Sequence, residues 1–115
     1  AAAGMLCLML YVSLPKINNN FEENTFDEVN FNEVANIIKY RCGVCHANNP
    51  TYEGFENPPL GIIFDTTQDI IKNIKGIKDQ AIDSDIMPPG NMTGITEDER
   101  NILRVWIEKG GNINN

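Results

Sequence analysis

Apolar residues recur along this chain at spacings of three and four, in three separate stretches, and each stretch predicts an amphipathic helix. In the first, Phe31, Val34, Ile37, Ile38 and Arg41 share one face, which predicts a helix ending at Arg41 and starting from Asn30 or Asn32. An asparagine suits the N-cap because its side-chain oxygen can accept from an otherwise orphaned backbone N–H. In the second, Ile70, Ile71, Ile74 and Ile77 predict a helix over about 67–79, capped by Thr66 or Thr67 and weakened near its end by Gly76. The third is the clearest: Ile102, Leu103, Trp106 and Ile107 form the buried face, Thr96 and Glu99 form a T-x-x-E capping box, and Gly110 and Gly111 close it. Between them lie loops over 47–61, with Pro50, Gly54, Pro58 and Pro59, and over 83–94, with Pro88, Pro89, Gly90 and Gly94. No segment alternates with period two, so the soluble part is expected to be all-α.

A different pattern opens the chain. Residues 1–14 (AAAGMLCLMLYVSL) carry no charge. A membrane helix needs about 20 apolar residues, and this run is shorter. No basic segment precedes it and no small-x-small site follows, so it makes a poor signal peptide. The expectation is the tail of a membrane helix over 1–15, the other reading being an N-terminal anchor or a signal remnant. Residues 16–28 are polar and Asn-rich, as a linker would be. The single soluble domain is expected over 29–111.

The chemistry concentrates in one place. The cysteines are Cys7, Cys42 and Cys45; Cys7 sits in the apolar run and reads as an inert small hydrophobe. The other two belong to Cys42-Gly43-Val44-Cys45-His46, which contains the only histidine of the chain. This is the attachment pattern of a c-type haem. Two thiols two residues apart can reach the two vinyl groups of one macrocycle, and the next residue offers its imidazole to the iron. A structural zinc site wants four N or S ligands, usually two such pairs, and a thioredoxin-like C-x-x-C needs a βαβ context; the sequence supplies neither. One covalent haem c is therefore expected on Cys42 and Cys45, with His46 as an iron ligand.

Given a haem and no second histidine, Met87 is the candidate sixth ligand. It precedes Pro88-Pro89, whose locked φ angles would hold the sulfur in place, and a thioether favours reduced iron. Met92, after Gly90-Asn91, is the competitor, and simple packing is the alternative for Met87. His46 should donate its other ring nitrogen to a backbone carbonyl, with Pro58 or Pro59 the candidates. Trp106 reads as core between the first and last helices.

Charge then narrows the partners. The formal net charge is -7, which argues against nucleic acid and suits solubility or a basic redox partner. A domain this small buries a limited core, which a large central cofactor would supplement.

CGVCH after a first helix, P-x-L in the following loop, MPP later and a closing last helix resemble a class I cytochrome c over about residues 30–111. That resemblance implies a small all-α wrap around one haem, with first and last helices crossing. The stretches PPLGIIFDTTQDI and MPPGNMTGITEDERNILRVWIEKG look, more closely, like the C-terminal cytochrome domain of the bacterial membrane-bound urate hydroxylase family. This implies an electron-carrier domain on the periplasmic side of the inner membrane, receiving electrons from a membrane part that oxidises urate. The alternatives are a membrane-anchored monohaem cytochrome serving another respiratory oxidoreductase, a haem enzyme or sensor if Met87 is not a ligand, and a redox thiol protein without haem.

Overall fold

The computed structural model describes residues 29–114. The expected membrane-helix tail, the linker and Cys7 lie outside them. Among the described residues no helix is long and apolar enough to cross a membrane.

The described part is helical, without strands, as the absence of period-two patterning predicts. Helix α1 spans Phe31–Arg41, with Asn30 as its cap: the Asn30 side chain accepts from the Glu33 N–H at 3.0 Å. A 3-10 turn follows at Pro59–Gly61. Helix α2 spans Thr67–Lys72, and Thr66 caps it in a reciprocal box with Asp69. Helix α3, Ile74–Ile77, continues into a π-helical turn at Lys78–Ile82. A second 3-10 turn, Pro89–Asn91, precedes α4, Glu97–Glu108, whose Thr96–Glu99 capping box forms as expected.

The helix expected over 67–79 is thus two short helices and a widened turn. The break is Asn73, whose side chain donates to the Asp69 carbonyl at 2.8 Å beside the backbone bonds of the same turn. Such local side-chain bonding competes with regular helix. Gly76 sits inside α3 and does not end it.

One core holds these pieces. Val34, Ile37 and Ile38 of α1 meet Leu103 and Trp106 of α4, with Ile70, Ile77 and Ile95 completing the cluster. Ile38, Leu103 and Val34 are its largest fully buried side chains. Phe31 lies against Trp106 with ring centroids 5.8 Å apart, and the indole N–H donates to the Asn112 carbonyl at 2.8 Å. Trp106 is therefore core between the first and last helices. Cys42 and Phe64 pack on the edge of this cluster, so the core ends where the CGVCH turn begins.

Candidate functional site

The turn grows directly out of α1. The Cys42 and Gly43 N–H groups both donate to the Ile38 carbonyl, at 2.9 and 2.7 Å, and the Cys45 and His46 N–H groups both return to the Cys42 carbonyl, at 3.2 and 2.9 Å. Cys42, Cys45 and His46 are thereby gathered into one tight corner. Gly43 is sterically required: a Cβ there would lie 2.9 Å from the Lys39 carbonyl oxygen, which is backbone and cannot swing away.

Both thiols are free. Burial pushes the Cys42 thiol up to about 12, against an opposing pull from the Arg100 guanidinium and with a further push from Cys45. Burial also raises Cys45. A redox C-x-x-C lowers its attacking thiol, and burial acts on both sulfurs here in the opposite direction.

His46 is held on two sides by one strap of chain. Its Nδ1 lies 2.9 Å from the Ile62 carbonyl. A carbonyl only accepts, so Nδ1 carries a proton, and in the neutral imidazole the lone pair is then on Nε2. The Phe64 N–H donates to the His46 carbonyl at 2.8 Å, and the Phe64 ring stands edge-on to the imidazole at 5.5 Å. The partner is Ile62 rather than Pro58 or Pro59, whose carbonyls accept within the turn, from Gly61 at 3.0 Å and from Ile62 at 3.1 Å. That turn leaves Leu60 at positive φ and 92% exposed. The Val44 carbonyl accepts from both Thr51 and Tyr52 at 2.9 Å, folding the start of the same loop back on the motif.

Met87 sits on the other long loop, half-buried, where Met92 is exposed. Its N–H donates to the Gln80 carbonyl at 2.8 Å, the Met87–Pro88 peptide is cis, and Pro88 is buried. Two arginines tie this loop to the helices. Arg41, at the end of α1, donates to the Thr93 carbonyl at 2.6 Å and to both oxygens of Glu99 at 3.0 and 3.3 Å, while the Thr93 hydroxyl donates to the Arg41 carbonyl at 2.8 Å. Arg100, on α4, is the one buried charged residue among those described; its Nη1 donates to the Ala81 carbonyl and, at 3.3 Å, to the Met87 carbonyl. Arg100 thus holds the Met87 backbone, and its charge pulls against the burial that raises the Cys42 thiol.

Sequence reasoning missed Ile62 and Phe64, which carry no motif, and Arg100, which does carry a signal. Arg100 is a charge three residues before Leu103 on the core-facing side of α4, where an apolar residue would be ordinary.

Among the described residues no group of three or more His, Cys, Asp and Glu side chains sits together as a metal donor set. The donors present fit a haem instead: two unbridged thiols at the attachment spacing, an imidazole with Nε2 left available, and a thioether on an anchored loop. No known family, curated protein or solved structure matches this chain.

Proposed function

We propose that this chain is a monohaem electron-transfer domain of the class I cytochrome c type. The observation that carries the reading is His46: its Nδ1 is committed to the Ile62 carbonyl, which leaves Nε2 as a lone-pair donor beside two free thiols spaced for thioether attachment. Cys42 and Cys45 would hold the haem, and His46 and Met87 would ligate its iron. Bound in that way, a haem supplies a one-electron couple with no open coordination position.

The chain's own residues serve that couple by fixing and drying it. The 62–64 strap holds the imidazole's orientation. The Cys42 side keeps contact with the apolar core, which lowers the local dielectric around the cofactor edge. The net charge of -7 favours a partner with a basic face.

The resemblance of PPLGIIFDTTQDI and MPPGNMTGITEDERNILRVWIEKG to the urate hydroxylase cytochrome domain supplies the finer reading: a periplasmic, membrane-attached relay for electrons taken from urate. In the longest natural protein containing this sequence, anaerobic urate should reduce the haem, and His46→Ala should abolish that signal. Reduction by quinol but not by urate would keep the relay and remove the urate assignment. A chain that takes up no haem under maturation conditions would remove both.

A further inference from the structure

Arg100 is 7% exposed, and its nearest carboxylate is that of Glu97, 3.9 Å from Nε on a side chain that is 85% exposed. A guanidinium in that position loses hydration without gaining a close counter-ion. An apolar side chain of similar length would fit the same face of α4 without this cost. What the guanidinium adds is its bonds to two carbonyls, and both belong to one segment. Nη1 meets Ala81, at the end of the π-helical turn, and Met87 itself. The Met87 N–H is meanwhile taken by Gln80. Both polar backbone groups of Met87 are therefore held, the amide by the turn before it and the carbonyl by α4, and residues 82–86 are closed into a loop between the two anchors.

Resting on the haem reading above, with Met87 as an iron ligand, we propose that Arg100 is a positioning residue for that ligand: by bridging the carbonyls of Ala81 and Met87 it fixes the backbone from which the thioether is presented. Arg41 is the natural control. It ties the same loop to the helical frame, but at Thr93 and Glu99, beyond Met87 in the chain.

The test uses the haem-loaded chain and imidazole as an exogenous ligand that competes with the thioether for ferric iron. Imidazole affinity is measured by optical titration, with urea unfolding alongside, for wild type, Arg100→Met, Arg100→Lys, Arg41→Met and Met87→Ala. The expected result is about tenfold tighter imidazole binding in Arg100→Met, the scale of one lost hydrogen bond to a charged group. Arg100→Lys should fall between Arg100→Met and wild type, because an ammonium keeps the charge and can reach one carbonyl. Arg41→Met should stay near the wild-type affinity at a similar loss of global stability. Unchanged affinity in Arg100→Met, or an equal gain in Arg41→Met, overturns the inference. If Arg100→Met does not fold, Arg100→Lys decides: tighter binding supports the role and wild-type affinity overturns it. Met87→Ala separates the two layers. If its affinity equals wild type, Met87 is not a ligand and the positioning role falls with that assignment, while the haem reading stands; if it binds far more tightly while both Arg100 variants do not, only the positioning role falls.

Discussion

The corner at 42–46 and the loop at 83–95 carry the two halves of one candidate site, and they are built differently. The turn of the corner is closed by bonds between near neighbours, Ile38 to Gly43 and Cys42 to Cys45 and His46, and the 62–64 strap then holds His46. The turn's geometry follows from the way α1 ends. The loop is tied to the helices by side chains 13 and 52 residues away in sequence, Arg100 at Met87 and Arg41 at Thr93. The first kind of construction survives as a motif that can be read in the sequence; the second is visible only after folding. It also follows that the two halves should fail differently when disturbed: the corner through sterics, the loop through the loss of distant polar anchors.

The largest expected contrast comes from removing each half's donor. His46→Ala should abolish the low-spin spectrum of the haem-loaded chain while the thioether bonds stay intact. Met87→Ala should open the sixth position, shift the spectrum toward high spin and lower the potential, while Met92→Ala leaves it near wild type. Optical spectra and redox titration of the three variants check this. If Met92→Ala has the effect expected of Met87→Ala, the loop has been assigned the wrong sulfur.

A second contrast concerns packing. Leu103→Ala cuts into the core shared by both halves and should cost about 2–5 kcal/mol in urea unfolding. Gly43→Ala acts on the corner alone. Its methyl would press on the Lys39 carbonyl, and the expected cost is about 1–3 kcal/mol, read by the same measurement. A neutral Gly43→Ala would mean that the corner can relax, contrary to the tight turn described here.

The smallest effect tests the loop's anchor through pH. Burial alone would raise the Glu99 carboxyl, but the hydrogen bond and charge of Arg41 and the bonds from Thr96 outweigh it, so it lies below its ordinary 4.5. A carboxyl lowered on folding stabilises the native state above its unfolded value, and that contribution is lost as pH falls through the folded value. Urea midpoints of wild type should therefore decline on acidification below about pH 4.5, and Glu99→Gln should show a shallower decline. Identical acid profiles for the two chains would show that this ion pair contributes nothing to the anchor.

The sequence announced the parts whose cause is local. The first and last helices, the Asn30 cap and the Thr96–Glu99 box appear as read, while the middle periodicity forms broken helix. Asn73 was not legible as a break, because only the folded turn shows its backbone leaving the helical region with its amide bonded to the Asp69 carbonyl. The partner of His46 was sought just upstream of the right carbonyl: a 3-10 turn at Pro59–Gly61 intervenes, and Ile62 at its end meets the ring. Arg41 stood on the apolar face of α1 with no visible purpose. Its role depends on Glu99 and Thr93 arriving from the far end of the domain, which no short-range pattern encodes.

The central claim is that the corner binds haem covalently, and a denaturing gel stained for haem peroxidase activity tests it most directly. The chain is expressed with the c-type maturation machinery, beside a Cys42→Ala, Cys45→Ala double variant. The account predicts a stained band for the wild-type chain that survives denaturation and disappears in the double variant. A wild-type band that is present by protein stain but dark to the haem stain would contradict it.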